Sequence, residues 1–124
     1  MPDMPGLSVI VAASDGARFY AALETAVAAA ALGRPARLVL QGPATALLRT
    51  PIAFDGDAAR RAAGQPDLAA LIAEAAAMDV HLIACQSGMA LAGMTASEMA
   101  PEARAGGLVS FLAGLGDEDR LVVY

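Results

Sequence analysis

The single cysteine of this chain occupies a position that suits chemistry. Cys85 directly follows an apolar, strand-like run, 80–84, and precedes Gln86-Ser87-Gly88 and a helix-like stretch. In α/β proteins reactive side chains often lie here, at the carboxyl end of a strand and beside the free amides of the next helix. The positive end of a helix favours a thiolate and lowers the thiol's pKa. The position therefore indicates a reactive thiol, with a buried cysteine acting as a small hydrophobic residue as the alternative.

Two further polar segments are predicted to share an edge of the sheet with Cys85. Strand ends that lead into crossover helices meet at one edge of a parallel sheet, which is the usual ligand crevice. The same segments also fit plain structural roles, helix caps at 14–15 and turns at 41–42 and 86–87. We nevertheless take the candidate site to be Cys85 as the reactive group with, for ligand binding, Ser14, Asp15, Gly16, Gln41, Gly42, Gln86, Ser87 and Gly88.

The rest of the composition narrows the chemistry. His81 lies four residues before Cys85 on the same predicted strand, hence about 13 Å away, which argues against a direct Cys–His dyad and favours a structural role for His81. One His and one Cys cannot build a Cys/His zinc site, and no second cysteine can resolve a disulfide within the chain. The absence of Lys excludes a Walker A loop and a Schiff-base lysine. We expect neither a metal nor a cofactor.

Charge and hydropathy point to a protein of the cytosol. The net charge is −5 and the eight basic residues, all Arg, are scattered along the chain, so no nucleic-acid partner is expected. The start, residues 1–6, resembles neither a signal peptide nor a lipidation signal, and no apolar run is suited to spanning a membrane. A lone free thiol suits a reducing compartment, so we expect a cytoplasmic protein without membrane contact.

The pattern along the chain alternates strands with helices. We predict strands at 7–13, 36–40, 80–84 and 120–124, with a possible fifth inside 47–54. Long helices are predicted at 17–32 and 66–78, and short ones at 44–49, 88–93 and 108–113. Thr95-Ala96-Ser97-Glu98 fits a capping box that opens a further short helix, and 50–64 is predicted to be a loop, with room for one helical turn, that is too polar for the core. This order predicts one α/β domain over 1–124, with three layers: a parallel sheet of four to five strands with helices on both faces.

Around the cysteine the chain reads Leu82-Ile83-Ala84-Cys85-Gln86-Ser87-Gly88-Met89. This segment resembles the DsrE/DsrF-like superfamily, in particular the subgroup often labelled peroxiredoxin-family or DsrE/DsrF/DrsH-like. No peroxidatic Pro-x-x-x-Thr-x-x-Cys pattern surrounds Cys85, so the peroxiredoxin label itself has no support in the sequence. The layout of the first two strands and the long helix agrees, so nearly the whole chain is covered. The residues that resemble the family are Leu82-Ile83-Ala84-Cys85-Gln86-Ser87-Gly88-Met89, Ala92-Gly93-Met94, the segment around Glu98, Arg104 to Leu112 with its Gly106-Gly107 pair, and Leu121-Val122-Val123.

The resemblance implies an α/β/α domain that assembles as a trimer or hexamer. It also implies a sulfur relay in which Cys85 holds sulfane sulfur as a persulfide, received from a donor protein and passed to an acceptor protein. Whether this amounts to an enzyme, as a sulfurtransferase-like carrier, stays open. The alternative is a non-catalytic oligomeric module that binds a small ligand or a nucleotide, with Cys85 in the wall of its crevice.

Overall fold

The computed structural model describes residues 4–124. Residues 1–3 lie outside the described residues. They begin the segment 1–6, in which we expect no targeting signal. The strands are β1 (Leu7–Val11), β2 (Ala36–Leu40), β3 (His81–Cys85), β4 (Ala103–Gly106) and β5 (Arg120–Val123). The helices are α1 (Gly16–Ala31), α2 (Asp57–Ala62), α3 (Leu68–Ala77), α4 (Gln86–Ala92) and α5 (Leu108–Ala113), with 3₁₀ helices at Gly42–Leu48 and Ala96–Glu98. No helix among the described residues is long and apolar enough to cross a membrane.

The five strands form one parallel sheet in the order β4-β3-β2-β1-β5. This arrangement confirms the predicted α/β class and the upper end of the predicted strand count. Parallel pairing places the carboxyl ends of β1, β2 and β3 side by side, at the edge where the chain leaves each strand for its crossover. Cys85 is the last residue of β3, so the sheet delivers it to that edge.

The fifth strand lies elsewhere than we predicted. The segment 47–54 forms no strand of the sheet; it contains the end of a 3₁₀ helix and an isolated antiparallel bridge between Arg49 and Met99. The fifth strand is β4, Ala-Arg-Ala-Gly, which has no β-branched or aromatic residue. It exists because it pairs with β3 from Leu82↔Ala103 to Cys85↔Gly106, which is a tertiary effect that local propensity does not reveal.

The first face of the sheet holds most of the core. Alternate strand residues such as Val9, Leu38 and Leu82 point to this face and are almost completely buried. They pack against the apolar sides of α1 and α3, whose starts are capped by Asp15 and Asp67. This well-filled layer fixes the three central strands and thereby the edge on which Cys85 lies.

The second face of the sheet has a thinner cover than the predicted layer of helices. In the described part of the chain, α5 is the helix that packs there, with Phe111 against Ile10, Val39 and Cys85. Arg37 supports it, because its guanidinium lies 4.3 Å from the centre of the Phe111 ring and donates to Ser8 Oγ at 2.8 Å. The sheet therefore has a short helix beside the cysteine and open surface around it.

The segment 50–64 is more ordered than predicted. It contains α2, and its Asp57 is buried although we judged the segment too polar for the core. The Asp57 carboxylate accepts hydrogen bonds from the amides of Phe54 and Leu68, at 3.0 and 2.9 Å, which satisfies it inside the protein. The predicted capping box is confirmed, with Thr95 and Glu98 bonded reciprocally.

Candidate functional site

Cys85 ends β3 and forms the N-cap of α4. Its residue surface is 4% exposed, and its side chain lies on the second face of the sheet among Ile10, Val39 and Phe111. The neighbours that follow it, Gln86 and Ser87, are exposed. The thiol therefore lies between an apolar cluster on one side and a polar, accessible turn on the other.

Hydrogen-bond donors converge on the Cys85 sulfur. Burial by itself raises the pKa of this thiol, but hydrogen bonds from the Ser87 hydroxyl and from the amides of Gly88, Ser87 and Leu108 outweigh it, so the pKa is lowered. Ser87 Oγ lies 3.2 Å from Cys85 Sγ. Since these donors stabilise the anion, the site favours a thiolate. The pKa shift has the direction that the sequence predicted.

The lowered pKa predicts the pH dependence of alkylation. Because iodoacetamide reacts with the thiolate, its rate constant should rise with pH and level off below the ordinary thiol pKa of about 8.5. In Ser87→Ala, which removes one exposed hydroxyl donor, the same rise should move to higher pH. Alkylation quenched at set times and read by intact mass gives the rate constant against pH for the native chain and for Ser87→Ala. A native rate that still climbs above about pH 9 would contradict an activated thiol.

Gly88 allows α4 to approach the 3₁₀ helix that follows β2. A Cβ at this position would collide with the Thr45 side chain and would lie 2.8 Å from the Gly42 carbonyl oxygen. Thr45 is itself fixed, because it is fully buried and donates to the Leu40 carbonyl at 3.0 Å. Gly88 thus has two roles, close packing and donation of its amide to Cys85.

The Ser14-Asp15-Gly16 segment has structural contacts. The Asp15 carboxylate caps α1 by accepting from the Ala17 amide at 2.9 Å, and Ser14 is exposed. Gly16 provides room for Phe54, since a Cβ there would lie 2.6 Å from the Phe54 Cβ. Because β1 lies two strands from β3, about 10 Å, these residues belong to the same edge but not to the surroundings of the thiol.

The second predicted segment lies closer to the cysteine. Gly42 has a φ of +56°, which glycine adopts without strain, and its carbonyl oxygen lies against Gly88. Gln41 precedes it as the N-cap of the 3₁₀ helix, without a side-chain capping bond. The structure therefore brings Gly42, Thr45 and the Cys85–Gly88 turn together, with Thr45 as a neighbour that the sequence did not reveal.

Leu108 and Phe111 are further residues near Cys85 that we did not predict. The Leu108 amide donates to the Cys85 sulfur, and Phe111 covers it from α5. The signal for them was the Gly106-Gly107 pair before an apolar run, because glycines permit a close approach of backbone to a neighbouring group. His81 is exposed at the opposite end of β3 from Cys85, consistent with the absence of a Cys–His dyad.

Comparison with known proteins assigns the family. The model of the DsrE/DsrF-like family matches residues 7–124, which is nearly the whole chain. The chain belongs to the DsrE/DsrF-like family. The match includes β3, the Cys85–Gly88 turn and the segment that supplies Leu108. No match was found among curated proteins.

Two solved structures share the fold of this DsrE/DsrF-like chain. The YchN protein from E. coli has a TM-score of 0.76 at 16% sequence identity, with 98% of this chain and 100% of that chain covered. A protein of unknown function from Methanobacterium thermoautotrophicum, MTH1491, has a TM-score of 0.75 at 10% identity, with the same coverage. At such low identities, these likenesses establish a shared α/β fold and no more.

Proposed function

We propose that this protein is a cytosolic sulfur-relay protein that holds sulfane sulfur as a persulfide on Cys85. The observation that supports the proposal most directly is the convergence of the Ser87 hydroxyl and three backbone amides on the Cys85 sulfur. Membership of the DsrE/DsrF-like family supports it as well. The protein would act as a carrier, accepting sulfur from one partner and passing it to another.

The chemistry needs a single thiol. The Cys85 thiolate attacks the outer sulfur of a donor persulfide; a new S–S bond forms at Cys85, the donor's S–S bond breaks, and the electron pair leaves on the donor as a thiolate. A Cys85 persulfide is anionic at its outer sulfur, and the donors that lower the thiol's pKa are suited to stabilising that charge too. The acceptor repeats the reaction in reverse with its own thiol, so no second cysteine is needed in the chain.

The test is sulfur uptake by the purified protein. Incubation with polysulfide should increase the intact mass by one sulfur atom, and dithiothreitol should remove the increase. The second step matters because two oxygen atoms on the six methionines would add nearly the same mass, and dithiothreitol does not reduce methionine sulfoxide readily. No dithiothreitol-sensitive increase would overturn the proposal and would favour the alternative, a ligand-binding module with Cys85 as a wall residue.

We also propose that the protein is a homo-oligomer of three chains or a multiple of three. The number rests on the family resemblance, and the surface adds support. Val109 and Leu112 on α5 are 84% and 42% exposed, and Leu121 and Val123 of β5 are exposed on the face of the sheet that α5 covers in part. We take these four exposed apolar residues on one side of the sheet as an apolar patch of the kind that marks association surfaces. Of the two segments that we considered from sequence, 17–32 and 108–115, the second belongs to this patch.

Light scattering at micromolar concentration should give a multiple of the 12.4 kDa chain mass. Val109→Lys should lower that mass, because a charge placed inside an apolar interface is costly to bury. Leu91→Lys is the matched control, since Leu91 is 67% exposed but lies on α4, outside the patch. A native mass of one chain would contradict the oligomer, and an equal effect of both variants would contradict the assignment of the patch.

A further inference from the structure

A cleft of about 530 Å³ opens on the second face of the sheet beside the cysteine. Its floor contains Ile83 of β3 and its wall contains Phe111 of α5, so part of it is apolar. Five titratable side chains line it: Arg37, Asp79, His81, Glu102 and Arg104. A volume of this size suits an organic ligand better than a small inorganic ion.

The strand register orders these groups along the cleft. Arg37 and His81 are register partners near the amino ends of β2 and β3, and Glu102 directly precedes β4. Arg104 lies further along, opposite Ile83. Because parallel strands rise about 3.3 Å per residue, the cleft extends about 13 Å from His81 to the level of Cys85. Acidic groups therefore lie at the far end, and Arg104 lies between them and the thiol.

The cleft reaches the level of Cys85 on the neighbouring strand β4, although Cys85 itself is not one of its lining residues. Gly106 and Gly107 line it, and Gly106 is the register partner of Cys85. The next residue, Leu108, donates its amide to the Cys85 sulfur. Gly106 also lacks the side chain that would fill this end, where a Cβ would lie 2.9 Å from Ile83 Cγ2. Arg104 is two residues from Gly106, about 7 Å along the strand, so its side chain is within reach of a ligand whose sulfur meets Cys85.

The charges of the cleft are not paired with one another. None of the ion pairs within residues 4–124 contains a residue that lines it. The Arg37 guanidinium already donates to Ser8 Oγ and packs on the Phe111 ring. Arg104 has no side-chain hydrogen bond in the described part of the chain and is exposed, as are Asp79 and His81. A cationic group near the thiol and carboxylates at the far end match a ligand with a carboxylate and an ammonium.

A larger cavity, of about 650 Å³, lies at the amino ends of β1 and β5, away from Cys85. Its Asp119 carboxylate accepts from the amides of Gly6 and Gly116, both at 2.7 Å, and so has a structural role. The cleft on the second face is the one that reaches the level of Cys85.

We propose that this cleft binds the body of a low-molecular-weight peptide persulfide, two to four residues long, which gives its sulfur to Cys85. A ligand carboxylate would pair with Arg104 and a ligand ammonium with Glu102 or Asp79. The inference rests on the proposed function and specifies the chemical class of the sulfur donor. Cys85 is 4% exposed, which favours a slender donor over a protein surface.

The transfer balances without an added oxidant. The Cys85 thiolate attacks the outer sulfur of the peptide persulfide, the S–S bond of the donor breaks, and the electron pair leaves on the peptide as its thiolate. The proton of the transferred SH group passes to the peptide thiolate, which leaves the cleft as a thiol. Cys85 becomes the persulfide anion, so the charge is unchanged and one sulfur atom has moved.

The test compares two donors that share the reacting S–S group. Glutathione persulfide has a tripeptide body with carboxylates and an ammonium, whereas the persulfide of 2-mercaptoethanol has neither. The native chain should react faster with the first, and Arg104→Gln should reduce that preference about tenfold, as expected from the loss of one charge-assisted contact. Glu102→Gln should reduce it in the same direction. Equal rates for the two donors in the native chain would overturn the proposal.

Arg120→Gln is the matched control, since Arg120 is also an exposed arginine on an edge strand but lies outside the cleft. It should leave the preference unchanged; a decrease equal to that of Arg104→Gln would contradict a specific role for Arg104.

Calorimetric titration of Cys85→Ser with S-methylglutathione, which cannot transfer sulfur, separates the two proposals. No uptake from either donor would refute the carrier, and no binding of S-methylglutathione would refute the cleft.

Discussion

Replacing Cys85 by Ser should abolish sulfur uptake completely. The hydroxyl has nearly the same shape as the thiol, so the apolar contacts with Ile10 and Phe111 and the hydrogen bonds at the turn should largely persist. A serine hydroxyl, however, cannot form an S–S bond. After polysulfide treatment the native chain should gain one dithiothreitol-sensitive sulfur atom and Cys85→Ser none, as read by intact mass.

Ser87→Ala is the control that separates loss of the nucleophile from loss of its activation. It keeps the thiol and removes the hydroxyl donor 3.2 Å from Cys85 Sγ, so uptake should slow at neutral pH but reach the same end point. The rate should recover as the pH rises, because more of the thiol with its raised pKa then becomes thiolate. Uptake by Cys85→Ser equal to that of the native chain would show that the sulfur is not held on Cys85.

Replacing Gly88 by Ala should destabilise the protein by about 1–3 kcal/mol, the usual cost of overpacking a filled site. The added Cβ meets the Thr45 side chain and the Gly42 carbonyl oxygen, and neither can move freely. Thr45 is held by its hydrogen bond to Leu40, and the carbonyl oxygen is backbone. Because α4 must shift to relieve the contact, the Gly88 amide should also move away from the Cys85 sulfur.

Chemical denaturation measures the change in the free energy of unfolding, and alkylation at fixed pH measures the change at the thiol. Gly107→Ala is the matched control, since its Cβ would be in ordinary contact, 3.9 Å from the Gln86 side-chain oxygen, and its φ of −97° suits any residue. It should have little effect on stability. A Gly88→Ala protein as stable as the native chain would contradict the assigned close packing of α4 against the 3₁₀ helix.

The sequence by itself determined the α/β architecture and the place of Cys85 within it. Short apolar runs of about five residues can form buried strands, and the alternation with helical periods requires parallel crossovers. The position of Cys85 after such a run predicted its place at the carboxyl end of β3. These conclusions depend on local pattern and on general rules of chain connection, which a single sequence contains.

Tertiary structure alone decided β4, the burial of Asp57 and the surroundings of the thiol. β4 has poor local strand propensity and forms because the edge of β3 offers it hydrogen bonds. Asp57 is buried because the amides of Phe54 and Leu68, which the fold brings to it from either side, satisfy its carboxylate. Leu108, Phe111 and Arg104 reach the neighbourhood of Cys85 through that same edge strand and the helix after it. Their proximity depends on strand order and register, which local sequence patterns do not contain.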